Sequence, residues 1–226
     1  MTEPLSGRNL NRLEDERFVR GRGRYIADLA APGALHGMVV RSTHAHARIA
    51  AVHVDKARRM PDVAAVFTGA DLAADNIGPL PCAVTGIPMA TPLVVPPCHA
   101  LARETVRYVG EPVAFVVAES AAAARDAAEF VVVDYEPLTS IISLADAVLP
   151  GSPAIWPEVH NNVAFEFRRG EIAPVEAAIR GAAHVVDCEL INNRVVAASL
   201  ETRARPRSET TMARRGRLSA MLKGLA

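Results

Sequence analysis

Residues 106–138, VRYVGEPVAFVVAESAAAARDAAEFVVVDYEPL, form the stretch of this chain that decides its fold. An unbroken apolar run at 113–118 follows a Gly-Glu-Pro breaker, which predicts a strand covered on both faces. Ser120 stands where it can cap a following helix, because its hydroxyl can accept a hydrogen bond from an otherwise unpaired backbone N–H. The β-branched and aromatic run at 131–135 predicts a second strand that ends at a Glu-Pro pair. The stretch therefore predicts a compact, buried strand–helix–strand unit.

The chain before this unit alternates short apolar runs with turn residues, at 33–34, 42–43, 61–62 and Gly69. Strands are predicted at 35–40, 49–54 and 63–67. A short helix is predicted at 55–60, because Pro61 ends it. Strands outnumber helices in this pattern, so the predicted fold class is α+β.

Proline marks two irregular segments. Residues 75–100 contain six prolines, which remove backbone donors and fix φ, so a long loop is predicted there. Its apolar content favours packing against a neighbouring domain over disorder. Residues 149–157, LPGSPAIWP, predict a connector in which Trp156 is a packing anchor. Beyond the connector a further strand, helix and strand are predicted, at 163–167, 172–179 and 183–190.

Composition excludes several classes of protein. The chain has 226 residues and is 50% hydrophobic, which suits one or two domains with buried cores and is not typical of a disordered chain. Its formal net charge is zero, which argues against sequence-independent binding of nucleic acid by the whole chain. No apolar run reaches the roughly 18 residues of a membrane span. The polar N-terminus lacks a signal-peptide core, so a cytoplasmic protein is expected.

The three cysteines, Cys82, Cys98 and Cys188, are too few and too scattered for a disulfide framework. None stands in a C-x-x-C pair, so the sequence does not indicate an iron–sulfur or structural zinc site. Buried or unreactive thiols are expected.

Histidine supplies one candidate metal site. His44 and His46 would share one face of a strand, and His36 or His53 could complete a set of ligands. Structural histidines at the entrance of a strand are the preferred interpretation. No metal ligand is therefore assigned.

Two other patterns suggest chemistry only superficially. The string GRGR at 21–24 lacks the third glycine and the preceding strand of a phosphate-binding loop, so a turn with exposed arginines is favoured. Glu111 and Glu136 each precede a proline beside a core strand and could form a general acid and base, but carboxylates that cap turns are commoner. No catalytic or cofactor-binding residue is therefore assigned.

The strings YVGEPV at 108–113 and VDYEPL at 133–138 carry a family resemblance. Shorter strings follow the same family order across residues 8–203: RLED at 12–15, GRGRY at 21–25, HAHARI at 44–49, TGADL at 68–72, NNVA at 161–164 and NNRVV at 192–196. Together they resemble the start of the large, molybdopterin-binding subunit of the molybdenum hydroxylases. This family contains aldehyde oxidase, xanthine dehydrogenase and aerobic carbon monoxide dehydrogenase.

The resemblance implies a division of the chain and a parent activity. The implied parts are an extended lead-in at 1–18, an α/β hammerhead domain at 19–148, a proline-rich linker at 149–160, the incomplete start of the molybdopterin-binding domain at 161–203 and a basic, disordered tail at 204–226. The parent enzyme would hydroxylate aldehydes or N-heterocycles, or oxidise carbon monoxide. It would use molybdopterin in its cytosine dinucleotide form, with FAD and iron–sulfur clusters on partner subunits. Its substrate is a small molecule, and no nucleic acid or membrane is implied.

The family's cofactor loops and catalytic glutamate lie beyond the matched strings, so no cofactor is expected on this chain. The preferred interpretation is an N-terminal fragment that is inactive alone, with a tail read from a shifted frame. The alternative is a free-standing hammerhead module that assembles with other subunits through the loop at 75–100 and performs no chemistry. A nucleic-acid binder that uses the basic tail is a third hypothesis.

Overall fold

The structure is a computed structural model that describes residues 12–25, 33–82 and 91–192. The strands in these ranges are β1 His36–Arg41, β2 Ala47–His53, β3 Val63–Thr68, β4 Thr105–Val106, β5 Pro112–Ala118 and β6 Val132–Pro137. The helices are α1 Asp15–Val19, α2 Asp55–Arg58, α3 Gly69–Ala74, α4 Ala121–Ala128, α5 Leu144–Ala147 and α6 Ile172–Gly181, with a 3₁₀ turn at His160–Asn162. The fold class is α+β, as predicted.

The strands form two antiparallel sheets of three strands each. In the first sheet, β5 lies between β1 and β3. In the second, β2 lies between β4 and β6. The two strands of the predicted strand–helix–strand unit therefore belong to different sheets, and α4 carries the chain from one to the other.

Strand β5 is buried on both faces, as its unbroken apolar sequence predicted. Side chains of one face pack beneath α2 and α4, and those of the other pack against α3 and Leu101. The first face contributes Ala114 and Val116, and the second contributes Phe115 and Val117. Burial of a Val or Phe side chain contributes about 1.5–3 kcal/mol, so the buried side chains of β5 contribute strongly to the stability of the domain.

A third apolar cluster joins the two sheets. It contains Ala47 of β2, Ala102, Val106 of β4 and Val113 of β5, all buried. Because these side chains come from both sheets, the sheets share a continuous interior.

The predicted cap of α4 is confirmed. The Ser120 hydroxyl accepts a hydrogen bond from the backbone N–H of Ala123 at 3.1 Å. The helix then buries Ala124 and Ala127 against the first sheet. The sequence therefore predicted both the start of this helix and its place in the buried strand–helix–strand unit.

Helix α3 was not predicted, because Gly69 was interpreted as a turn residue. Thr68 and Asp71 form a capping box: the Thr68 hydroxyl accepts from the Asp71 N–H, and the Asp71 carboxylate accepts from the Thr68 N–H at 2.7 Å. Arg58 adds an ion pair to Asp71 at 3.2 Å. The signal was present in the sequence as T-x-x-D before an apolar residue.

The strands predicted at 163–167 and 183–190 are wrong, although α6 between them forms. An isolated extended segment has no partner for its backbone N–H and C=O groups, and the described residues place no strand beside either segment. At 163–167 the backbone hydrogen bonds among the described residues are scattered and form no ladder. Val163 N–H donates to the carbonyl of His160 at 3.1 Å, and Glu166 N–H donates to the Thr91 hydroxyl at 2.9 Å. The carbonyl of Ala164 accepts from Val94 N–H at 2.9 Å. Of the strand–helix–strand set predicted at 163–190, only the helix is therefore present.

The ends of the chain are partly outside the described residues. The lead-in predicted as extended contains the short helix α1 in its described part, and residues 1–11 lie outside it. The basic tail at 204–226, the string at 192–196 beyond Asn192 and the middle of the proline-rich loop, 83–90, also lie outside. No helix in the described ranges is long and apolar enough to cross a membrane.

Substitution of Gly69 tests the contact between α3 and the segment before β4. A Cβ at Gly69 would lie 2.3 Å from the backbone oxygen of Ala102, which cannot move aside without disturbing the core. Gly69→Ala should lower the free energy of unfolding by about 1–3 kcal/mol in urea titrations. Gly78→Ala is the matched control, because its Cβ would meet nothing within 4 Å. Equal stability of the two variants would contradict this packing.

Candidate functional site

A polar cleft of about 210 Å³ lies where β4 meets the proline-rich connector. Its charged and aromatic lining comes from the end of the long loop, from β4 and its flanks, and from the connector. These side chains are His99, Arg103, Glu104, Arg107, Glu111 and Trp156. Five of these six side chains are ionisable, which makes the cleft the candidate site.

Arg107 joins the connector to β4. Its guanidinium carbon lies 3.5 Å from the centroid of the Trp156 ring, a cation–π contact. The same guanidinium donates hydrogen bonds to the carbonyls of Ile155, at 3.1 Å, and Thr105, at 3.2 Å. Burial lowers the pKa of Arg107 while nearby glutamates oppose that shift, and the side chain stays charged at neutral pH. The prediction of Trp156 as a packing anchor agrees with these contacts.

Glu111 closes the turn that leads into β5. Its carboxylate accepts a hydrogen bond from the backbone N–H of Arg107, and its own N–H donates to the carbonyl of Tyr108 at 3.2 Å. Gly110 has φ +91°, which favours glycine at this position of the turn. Burial raises the pKa of Glu111, and the hydrogen bond from Arg107 opposes the shift. The carboxylate therefore caps a turn, which the sequence favoured over acid–base catalysis.

His99 and Arg103 carry buried nitrogen atoms without a hydrogen-bond partner in the described residues, His99 Nδ1 and Arg103 Nε. Burial lowers the pKa of His99, and the charges of Arg103 and Arg107 add to this effect. The imidazole is therefore neutral at physiological pH. Arg103 is held by its terminal nitrogen, which donates to the carbonyl of Ile77 at 2.8 Å.

His44 and His46 lie in the turn before β2 and not on a strand. His46 is buried, and its Nδ1 lies 2.7 Å from the carbonyl oxygen of Thr139. The ring of His44 lies against Tyr135, with 4.5 Å between the centroids. These are contacts of structural histidines, which was the preferred interpretation.

The other two histidines are not brought to this pair as a ligand set. His53 pairs with Asp134 across the second sheet at 2.8 Å, while His36 begins β1 in the first sheet. The described ranges contain no group of three His, Cys, Asp or Glu side chains suited to a metal ion.

The GRGR string ends α1. Gly21 has φ +65°, its N–H donates to the carbonyl of Phe18, and the N–H of Arg22 donates to that of Arg17. These two bonds form a Schellman motif, which satisfies carbonyls at the end of the helix. The predicted turn is confirmed.

Glu111 and Glu136, the candidate acid–base pair, contact different residues. Glu136 forms an ion pair with Arg48 across the second sheet, whereas the carboxylate of Glu111 contacts Arg107. The two glutamates therefore have different partners. Of the expected buried or unreactive thiols, the buried alternative is wrong, whereas low reactivity stays a prediction. All three thiols are exposed in irregular segments: Cys82, Cys98 and Cys188.

Neither of two cavities in the described ranges is lined for a molybdenum cofactor. The larger cavity, about 420 Å³, is lined by residues 139–143 with Asp146, Ser152 and Pro153, and it offers no cation for a phosphate group. In the smaller cleft, Arg107 is already occupied by the connector, and two glutamates offset the arginines. No catalytic step is therefore assigned to these residues.

A pH series on Glu111→Gln tests the buried carboxylate. Its pKa is raised above the ordinary value of 4.5, so its contribution to stability is present at low pH and is lost as pH rises through the folded pKa. Gln keeps an acceptor and has no such titration. The free energy of unfolding of Glu111→Gln relative to the original chain should therefore increase between about pH 4 and 7.

The control for this series is Glu119→Gln at an exposed position. It should stay within about 0.5 kcal/mol of the original chain across the same range. A relative stability of Glu111→Gln that falls with pH would contradict the burial of Glu111.

Substitution of Trp156 tests the attachment of the connector. Trp156→Ala removes a cation–π contact of about 1–2 kcal/mol, so backbone amides at 155–163 should exchange roughly tenfold faster with deuterium. Amides of β5 should keep their protection. Trp156→Phe retains an aromatic face and should show the smaller effect. Equal exchange in all three proteins would show that Arg107 and Trp156 do not hold the connector.

Comparison with known proteins places these features in a family. The family described as "Aldehyde oxidase and xanthine dehydrogenase, a/b hammerhead domain" matches residues 20–139. The large subunit of nicotine 6-hydroxylase from Paenarthrobacter nicotinovorans is 37% identical over 90% of this chain and 24% of its own length. The carbon monoxide dehydrogenase large chain of Afipia carboxidovorans is 34% identical over 84% of this chain, again 24% of its own length. The chain thus spans about a quarter of these relatives.

Solved structures of molybdenum hydroxylases are also similar to this chain. Reconstituted CO dehydrogenase from Oligotropha carboxidovorans superposes with a TM-score of 0.61 and 34% identity, over 79% of this chain and 22% of the other. Quinoline 2-oxidoreductase from Pseudomonas putida 86 superposes with a TM-score of 0.57 and 35% identity, over 78% of this chain and 22% of the other. The predicted resemblance is confirmed: this chain belongs to the aldehyde oxidase and xanthine dehydrogenase family of molybdenum hydroxylases, and it carries the family's α/β hammerhead domain.

Proposed function

We propose that this chain acts as the amino-terminal scaffold of a molybdenum hydroxylase large subunit and is inactive without the remainder of such a subunit. The cleft around Arg107 supports a structural role, because its strongest contacts hold the connector to the hammerhead domain. The similar nicotine 6-hydroxylase and carbon monoxide dehydrogenase proteins are named as a large subunit and a large chain of their enzymes.

The observation that carries this proposal is the uncovered apolar face of α6. Ile172, Val175 and Ile179 recur at helical spacing and are 51–68% exposed, and α6 buries none of its residues. The segment after α6 is equally open, with Val186 at 87% exposure. A helix with such a face is stabilised by tertiary packing, which the described residues do not supply. Residues beyond this chain, present in the longer relatives, are the proposed partner.

The proposal includes the domain limits and partners implied by the resemblance. Residues 161–203 would begin the molybdopterin-binding domain, after a hammerhead domain at 19–148 and a linker at 149–160. The complete enzyme would hydroxylate an aldehyde or N-heterocycle, or oxidise carbon monoxide. It would hold molybdopterin as the cytosine dinucleotide and pass electrons to iron–sulfur and flavin subunits. A cytoplasmic location stays a prediction.

Metal content and activity test the proposal directly. The purified 226-residue chain, produced in cells that make the molybdenum cofactor, should contain no stoichiometric molybdenum. It should also fail to oxidise aldehydes, N-heterocycles or carbon monoxide with an artificial electron acceptor. A relative of full length produced in the same cells is the positive control. Stoichiometric molybdenum in this chain would overturn the proposal.

Paired substitutions test the open face of α6. Val175→Ser should change the free energy of unfolding by less than about 0.5 kcal/mol, because the side chain is exposed. Val116→Ser, the same chemical change in the core of β5, should cost about 2 kcal/mol or more. A comparable loss in both variants would show that α6 packs within this chain.

A free-standing hammerhead module remains the second candidate function. Three apolar clusters give the residues before the connector a core of their own, so this part has the means to fold without a larger subunit. Translation of the gene downstream in all three frames separates the candidates. Family sequence in another frame supports the fragment, whereas unrelated sequence together with a 226-residue protein in cells supports the module.

A further inference from the structure

We propose that Asn162 is a positioning residue: its side chain closes the connector into a fixed loop and sets where the following chain leaves the hammerhead domain. Under the proposed scaffold function, on which this assignment depends, the chain after residue 162 belongs to the start of the molybdopterin-binding domain. The loop then determines where that domain begins relative to the hammerhead domain.

The carboxamide of Asn162 joins three separate backbone positions of the connector. Its Nδ2 donates to the carbonyl of Ala147, at 2.9 Å, and to that of Pro153, at 3.0 Å. Its Oδ1 accepts from the N–H of Ile155 at 2.9 Å. The bond to Ala147 brings the two ends of residues 147–162 together, which is the arrangement of an Ω-loop. One side chain therefore closes the loop and braces its middle.

The partners of Asn162 explain why a carboxamide stands at this position. Two carbonyl oxygens need N–H donors and one backbone N–H needs an acceptor, and asparagine offers both kinds of group. Aspartate has no donor for the two carbonyls, and an aliphatic side chain has neither donor nor acceptor. The contacts therefore depend on the side chain of Asn162 and not only on its backbone.

The backbone is left-handed at two consecutive residues where the loop closes. Asn161 has φ +52° and Asn162 has φ +56°. This conformation is unfavourable for residues with a Cβ, although asparagine adopts it more readily than most. The hydrogen bonds of Asn162 stabilise a turn that the backbone alone does not favour. Asn161 shares the conformation but is exposed, so it offers a matched comparison.

Ile155 connects the closed loop to the hammerhead domain. Its N–H donates to Asn162, and its carbonyl accepts from Nε of Arg107 at 3.1 Å. Arg107 directly follows β4, and its guanidinium also lies over the ring of Trp156. Hydrogen bonds thus run from Asn162 through a single residue to the edge of the second sheet. The place of residue 162 relative to that sheet is set by these bonds.

The chain after Asn162 lies beside the end of the long loop. Val94 N–H donates to the carbonyl of Ala164, and Glu166 N–H donates to the hydroxyl of Thr91, both at 2.9 Å. Neither bond involves the side chain of Asn162. If Asn162 positions the exit of the chain, loss of its carboxamide should weaken these two bonds as well as its own.

Amide hydrogen exchange of Asn162→Gly, measured by NMR on the 226-residue chain, tests this coupling. Glycine tolerates the left-handed backbone and removes the carboxamide. The amides of Ile155, Val94 and Glu166 should each exchange at least roughly fivefold faster, while β5 keeps its protection. Acceleration at Ile155 alone would reduce Asn162 to a local brace and overturn the positioning role. Unchanged exchange at Ile155, or lost protection throughout β5, would equally contradict it.

Two further variants separate the carboxamide from the backbone and from the exit. Asn161→Gly makes the same chemical change at the neighbouring left-handed residue and should leave the three amides within about twofold of the original chain. Thr91→Val removes the hydroxyl that Glu166 contacts and should accelerate Glu166 without affecting Ile155. Equal acceleration of Ile155 in Asn161→Gly and Asn162→Gly would assign the effect to the backbone and refute the role of the carboxamide.

These exchange rates and the proposed scaffold function can fail separately. Molybdenum content and activity decide whether the chain works without the rest of a large subunit. The exchange rates depend only on contacts within residues 91–166, so a change in molybdenum content leaves their outcome intact.

Discussion

The burial of β5 on both faces is the constraint on which the rest of this structure depends. A strand without an exposed face must satisfy every backbone N–H and C=O through neighbouring strands, and β1 and β3 do this on its two sides. Each face then needs its own apolar cover. Helices α2 and α4 cover one face, while α3 and Leu101 cover the other. The positions of three helices therefore follow from one strand.

The turn before β5 explains why the strongest family string is structural. Gly110 adopts a left-handed backbone, and Glu111 binds the N–H of Arg107. Ser42, directly after β1, closes the turn from the other side: its backbone N–H donates to the carbonyl of Glu111, and its carbonyl accepts from the N–H of Gly110, both at 2.8 Å. The YVGEP string thus fixes where β5 enters the sheet. Its contacts in this structure are those of a backbone turn.

The hammerhead domain and the segment after it differ in how they are stabilised. Apolar side chains before the connector meet one another in three clusters, whereas those of α6 face outward. Arg107 and Trp156 hold the connector at 149–157 against the hammerhead domain, so the connector is more than a flexible linker. The described residues thus form a domain with a core of its own and leave the apolar face of α6 uncovered.

Local sequence determined much of the fold: the strands at β1, β2, β3, β5 and β6, the cap at Ser120 and the turn at Gly21. In each case the signal lies within a few residues, as apolar runs, a capping hydroxyl or a glycine. The tertiary structure alone decided that β5 and β6 lie in different sheets, since strand pairing depends on residues far apart in sequence. It also decided that 163–167 and 183–190 are not strands here, because a strand needs a neighbour. Finally, it gathered Arg107, Glu111 and Trp156 at one cleft, because only folding brings separated segments within hydrogen-bond distance.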